Sequence, residues 1–308
     1  MKLRFVWFWG DFNQEENIFT DILKAKGIDV EIVKDSNGYC DLELVSVYGP
    51  VRRKLNEKLF RLKNMLPVGF ADTTVSYPLQ YEPDTANFAR RIWFANENVR
   101  PPFEGRADGY LSYDHDTLIP KFTYLPAWYL HAGFFKPQVG MFSGVSTFAP
   151  DLLKPRTLLG DKSKFACAFI GNPQPTRLHA IEALQELGQV DIFGPKFKKQ
   201  IKSKIDVSRE YRYMVCFEND LYPGYVTEKL IDAYVCETIP IYWGDIGESK
   251  CINEDAFFNV AAQGGIGTTL QSIKNLSNSE YETMFQKPLL KFIPDFTAIS
   301  NLLLGESP

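Results

Sequence analysis

Between Tyr211 and Asp245 an apolar run gives way to groups that can hold or move charge: Glu218 and Asn219, then Tyr225, Thr227, Glu228 and Lys229. An ammonium beside a helix start attracts an anion such as a phosphate, and the neighbouring carboxylate can accept hydrogen bonds from a pair of sugar hydroxyls. Arg177 stands in a comparable place, after the polar loop 171–176 and at the head of an expected helix, where it can reach an anion. Glu97 follows the apolar run 92–95, and a carboxylate just past a strand end lies where α/β domains place reacting groups. Spacing alone also admits simpler roles. Glu97 could cap its loop or pair with Arg100, Arg177 could be a solvated helix-start residue, Lys229 and Glu228 could be a surface pair, and Asn219 and Tyr225 could only shape their loop.

Positioning these side chains requires strands that end together and helices that begin there. Residues 214–217 read as a buried strand, Thr227 as an N-cap, 228–235 as a helix with Leu230, Ile231 and Tyr234 on its apolar face, and 239–243 as a second strand ending at Gly244. Strand, loop, helix and strand at this spacing form a right-handed βαβ unit of a parallel sheet. The pattern recurs. Residues 165–170, a helix through Leu187 capped by Gly188, and 190–193 form another such unit. Near the start of the chain, 3–9, 18–25 with Gly27 as cap, 30–33 and 42–48 read as strand, helix, strand and strand. Further elements are expected at 67–70, at 87–91 as a helix end feeding the strand 92–95, and at 109–114; residues 289–304 are amphipathic. The chain therefore reads as α/β with two Rossmann-like domains: 1–140, a connection at 141–164 that is richer in Pro, Gly and Ser, 165–288, and a terminal helix at 289–308 that could pack back on the first domain.

Length and composition narrow the function. A chain of 308 residues with 45% hydrophobic residues has material for two cores, and a net charge of -4 leaves no electrostatic footprint for nucleic acid. Five cysteines without a C-x-x-C pair, two of them (Cys167 and Cys216) in expected strands, point to reduced buried thiols and a cytoplasmic protein. No apolar run is long enough for a transmembrane helix, and no signal peptide is apparent. The lysines between Lys196 and Lys204 read as a solvated face, with peripheral membrane contact as the weaker alternative. Asp114-His115-Asp116 mimics a metal-binding D-x-D motif, but no metal is expected there; His131 and His179 have no ligand-spaced companions.

Three blocks in order, Phe217-Glu218-Asn219, Tyr225-Val226-Thr227-Glu228-Lys229-Leu230 and Pro240-Ile241-Tyr242-Trp243-Gly244, resemble the signature of the α1,3/4-fucosyltransferases, glycosyltransferase family 10. Asn96-Glu97-Asn98 resembles the family's G-E-N tripeptide with its first residue changed, and 125–129 its L-P-x-x-Y segment. The resemblance implies a GT-B fold with a donor cleft between the domains. It also implies an inverting transfer of L-fucose from GDP-fucose to a hydroxyl, O3 of GlcNAc or glucose in a Gal-containing oligosaccharide or glycoconjugate. It assigns Glu97 as catalytic base and Arg177, Asn219, Tyr225, Glu228 and Lys229 as donor-binding residues, with no cofactor beyond the donor and no required divalent metal. Two alternatives stay open: a GT-B transferase for another nucleotide sugar or acceptor, and a sugar-nucleotide or glycan-binding module without turnover.

Overall fold

The computed structural model describes residues 1–48, 85–95, 97, 107–113, 121–140, 144–158, 160–171, 173–197, 201, 203–247 and 249–306. The expected elements at 67–70, the Asp114-His115-Asp116 triplet and the partners Asn96, Asn98 and Arg100 lie outside them. The chain divides into two units: residues 1–130 with 223–225 and 295–308, and residues 131–222 with 226–294.

The first unit is built on β1 (Lys2–Val6), β2 (Glu31–Ile32), β3 (Cys40–Ser46), β4 (Phe88–Ala95), β5 (Gly109–Ser112) and β6 (Phe122–Tyr124), all parallel in the order β2-β1-β3-β4-β5-β6. Helix α1 (Ile18–Ala25) forms where its apolar spacing predicts. Asn17 caps it by accepting from the backbone of Phe19 and Thr20, and Gly27 follows the C-cap at φ +76°.

Residues 87–91 do not form the expected helix end: Asn87 precedes β4 at φ +60°, and 88–91 are its first four residues. Arg91 is buried and donates through Nε to Glu43 Oε2 at 2.6 Å, while Arg4 Nε donates to Glu43 Oε1 at 2.9 Å, so three charges sit inside the sheet. Arg90 turns the other way and donates to the carbonyls of Leu302 (3.1 Å) and Leu303 (2.6 Å) at the end of a terminal helix (Thr297–Leu304), satisfying carbonyls that helix geometry leaves unpaired. That helix covers only part of the amphipathic stretch 289–304, because Pro294 precedes it and Leu290 bridges Ile252 instead.

The second unit begins with the short antiparallel pair β7 (Gln138–Val139) and β8 (Ser146–Thr147). Its main sheet is parallel, in the order β10-β9-β11-β12-β13, from β9 (Lys164–Phe169), β10 (Val190–Phe193), β11 (Tyr211–Phe217), β12 (Ile239–Trp243) and β13 (Phe258–Asn259). Helices α2 (Pro175–Leu184), α3 (Lys204–Ser208) and α4 (Glu228–Val235) connect these strands, and α5 (Ile266–Asn275) and α6 (Asn278–Gln286) follow. Ala166, Ala168, Val215, Ile239 and Ile241 pack with Ile181 and Leu184 of α2 and Phe285 of α6 in one buried cluster, the continuous apolar strands that a sheet covered by helices demands. Gly188 does not cap α2, which ends at Gln185; a side chain at 188 would collide with the Phe165 ring, and that contact accounts for the glycine.

Candidate active site

In the second sheet β9 lies between β10 and β11, so the connections leaving β9 and β11 diverge, and the crevice beyond their carboxyl ends is the switch point at which open α/β sheets bind ligands. Arg177 enters from the first turn of α2 and bridges this crevice. Its Nη2 donates to the carbonyl of Phe217, the last residue of β11, at 2.6 Å, with longer contacts to Glu218 O (3.4 Å) and Asn219 Oδ1 (3.5 Å). A guanidinium fixed in this way presents its remaining edge in a defined direction at little further entropic cost.

The centre of the site is Glu218, whose side chain is fully buried. Its Oε1 accepts the Thr227 backbone N–H at 2.8 Å and the Tyr242 hydroxyl at 3.4 Å. Its Oε2 accepts the Thr227 hydroxyl at 2.8 Å and Lys229 Nζ at 3.1 Å. Burial pushes the Glu218 carboxyl up in pKa and the adjacent Lys229 charge pulls it back, leaving it raised. Thr227 does occupy the N-cap of α4, yet its hydroxyl makes no cap bond: it donates to Glu218 and accepts from Lys229 Nζ at 2.8 Å. Nor are Lys229 and Glu228 a solvated surface pair. Their side chains are 22% and 18% exposed, 3.4 Å apart, and Lys229 is held from three sides.

Glu228 heads α4. Burial alone would raise its pKa, but the charges of Lys229, His131 and Lys204 prevail and bring it down to about 2. A carboxylate whose folded-state pKa is depressed contributes stability above its unfolded pKa and loses that contribution as pH falls through the folded value. The stability difference between wild type and Glu228→Gln should therefore be full at about pH 7 and shrink from about pH 4.5 downward. Urea titrations across this range check it, and a pH-independent difference would contradict it.

Arg177, Asn219, Glu228 and Lys229 line one cavity of ≈ 610 Å³, within the size range of small-molecule sites. Lys204 and Asp232 also line it, so among the lining residues three cations, Arg177, Lys204 and Lys229, face two carboxylates, Glu228 and Asp232, a balance that favours an anion. Lys204 is thus no part of a solvated lysine face: its side chain is 17% exposed and donates to Asp232. Tyr225, the remaining expected donor residue, does not line this cavity. It groups with the first unit, buried with its ring 5.0 Å from that of Tyr113, beside Gly224 at φ +77°, where a side chain would meet the Tyr113 carbonyl.

In the first unit Glu97 lies just past β4, one strand from the switch point between β1 and β3. The Tyr48 hydroxyl, just past β3, donates to Glu97 Oε1 at 2.7 Å, and the Tyr113 hydroxyl donates to the Glu97 carbonyl at 2.9 Å. Both backbone and carboxylate are therefore oriented. The central place of Glu218 and the parts of Tyr48, Lys204, Asp232 and His131 in these clusters were not anticipated. A carboxylate directly continuing the apolar run 214–217 was the one visible sign, since it must be buried and partnered.

Residues 159–286 match the family described as glycosyltransferase family 10 (fucosyltransferase) C-term. The chain is 27% identical over 252 residues to an alpha-(1,3)-fucosyltransferase of Helicobacter pylori, covering 72% of this chain and 52% of that protein. It is 30% identical over 165 residues to a putative fucosyltransferase of Acanthamoeba polyphaga mimivirus, covering 48% and 26%. The chain thus spans about half, or less, of the length of these relatives. A crystal structure of an alpha1,3-fucosyltransferase superposes with a TM-score of 0.66 at 20% identity, over 99% of this chain and 90% of that one. One of an alpha1,3-fucosyltransferase with GDP-fucose does so at 0.63 and 21%, over 95% and 83%. The fold is of the GT-B type.

Proposed function

We propose that this chain, whose residues 159–286 form a glycosyltransferase family 10 C-terminal domain, transfers L-fucose from GDP-fucose to a hydroxyl of a Gal-containing oligosaccharide, O3 of GlcNAc or glucose, and releases GDP. The observation that carries this reading is the Arg177, Glu228 and Lys229 cluster around one cavity at the switch point of the second sheet. In this scheme the acceptor oxygen attacks the anomeric carbon of the β-linked donor as the bond to the diphosphate breaks, giving an α linkage. Glu97 takes the hydroxyl proton. Arg177 and Lys229 meet the charge growing on the diphosphate, Glu228 receives the ribose hydroxyls, and Asn219 and Tyr225 shape the donor loop. With cationic side chains on the leaving group, the scheme calls for no cofactor and no divalent metal.

The acceptor is read by loops of the first unit, where specificity tends to reside. A cavity of ≈ 640 Å³ lined by Phe12, Asn13, Gln14 and Glu15 supports a part for that loop; the loops 75–83 and 101–105 lie outside the described residues. A cytoplasmic setting is part of the proposal, supported by five free, buried cysteines. Among the described residues no helix is long and apolar enough to cross a membrane. The test is turnover of a donor panel (GDP-fucose, GDP-mannose, UDP-galactose) with oligosaccharide acceptors and linkage analysis of products. GDP-fucose alone should support transfer; preferential use of another donor, or binding without turnover of any, would overturn the reading.

A further inference from the structure

Tyr225 stands in the sequence between two residues that line the cavity of the second unit, Asn219 and Glu228, yet it does not line that cavity and is only 1% exposed. A side chain with so little free surface cannot lie along a nucleotide sugar. With Pro223 and Gly224 it belongs to the first unit, where its ring meets that of Tyr113 at 5.0 Å between centroids and 59° between planes. Gly224, at φ +77°, permits this close approach: a Cβ there would stand 2.9 Å from the Tyr113 carbonyl oxygen and 3.3 Å from the Tyr124 ring. Tyr113 is itself 1% exposed, and its hydroxyl donates to the Glu97 carbonyl at 2.9 Å. Tyr48, Glu97 and Tyr113 stand just beyond the carboxyl ends of the adjacent strands β3, β4 and β5. The loop tip therefore packs against the last member of a row whose middle member carries the carboxylate.

We propose that Tyr225 is a positioning residue for the base, acting on Glu97 through Tyr113 and making no contact with the donor. The proposal rests on the reading of Glu97 as that base. A phenol ring that is closely packed keeps one rotamer, and its hydroxyl is then delivered to one place. Without the Tyr225 ring, Tyr113 gains room to turn, and the Glu97 carbonyl loses a fixed donor. The carboxylate of the same residue then loses part of the support that aims it at the acceptor hydroxyl. Displacing a reacting group by about 1 Å can lower a rate on the order of a hundredfold. The Tyr48 bond to Oε1, at 2.7 Å, remains and limits the loss.

The experiment compares Tyr225→Leu, Glu97→Ala and the double variant with wild type, all as the full chain. It reads fucosyl transfer from GDP-fucose to N-acetyllactosamine, a Gal-GlcNAc disaccharide, and calorimetric titration with GDP. Tyr225→Leu should lower kcat about tenfold to a hundredfold and leave the Kd for GDP within about threefold of wild type. In the Glu97→Ala background the same substitution should lower the residual transfer by less than about threefold, because the support then has no carboxylate to aim. A loss as large in that background as in wild type would make Tyr225 merely structural and overturn the proposal. A Kd for GDP raised beyond about threefold would make Tyr225 a donor contact and overturn it as well, as would an unchanged kcat. If Tyr225→Leu does not fold, Tyr113→Phe takes its place in the same scheme and is judged by the same outcomes, since it keeps the ring and removes only the hydroxyl on the Glu97 carbonyl. Transfer by Glu97→Ala at the wild-type rate would remove the base reading and this proposal together, whereas equal losses in the two backgrounds remove only the proposal.

Discussion

Replacing Glu97 by alanine is expected to lower kcat for fucosyl transfer by about 10²–10⁴-fold, the range for a positioned general base, with GDP-fucose affinity unchanged. The separation follows from where the groups sit in the chain: Glu97 belongs to the first unit, whereas Arg177, Glu228 and Lys229 belong to the second. The carboxylate is oriented by the Tyr48 hydroxyl, and its backbone by that of Tyr113, so truncation removes the proton acceptor and leaves its supports in place. Transition-state stabilisation lost without a change in donor binding is the kinetic signature of a group acting in the chemical step. Unchanged transfer would reject Glu97 as the base. A matched loss of donor affinity would instead make it a binding residue.

Replacing Glu43 by alanine is expected to destabilise the protein by about 3–5 kcal/mol. Glu43 lies on β3 between two guanidiniums, Arg4 of β1 and Arg91 of β4, with side-chain exposures of 0%, 3% and 2%. The charges do not cancel, and the excess is spread over neutral acceptors. Arg4 donates to the carbonyls of Asp35, Ser36, Gly38 and Ala86, and Arg91 to the Thr85 hydroxyl, with its guanidinium 4.2 Å from the Phe88 ring centre. Removing the carboxylate leaves two buried cations facing each other across three adjacent strands. Chemical denaturation reads the effect, and a loss below about 1 kcal/mol would mean that the guanidiniums are satisfied by the carbonyls alone.

The same triad explains where the sequence could and could not be read. Helix α1 and the strands β10 and β12 lie at the residues expected, because each rests on local signals: helical spacing between Asn17 and Gly27, or an apolar run closed by glycine. The start of β4 was hidden because Arg91 breaks its apolar run, and the partner that makes that arginine a core residue stands on another strand. The site divides along the same line. Arg177, Glu228 and Lys229 stand beside helix starts and are visible in a local window. Glu218 binds Thr227 and Lys229 across a loop, and Lys204 pairs with Asp232 across two connections, so both depend on chain folding that no local pattern encodes. Thr227 shows how a local rule is displaced: the hydroxyl expected to cap α4 is taken by a buried carboxylate that needs it more.

The proposed transfer requires the nucleotide of the donor to be held at the carboxyl edge of the second sheet. Hydrogen exchange with and without saturating GDP tests this most directly. Protection is predicted in the peptides spanning residues 170–177 and 217–232. Protection confined to the first sheet, or no change in either segment while GDP is bound, would contradict it.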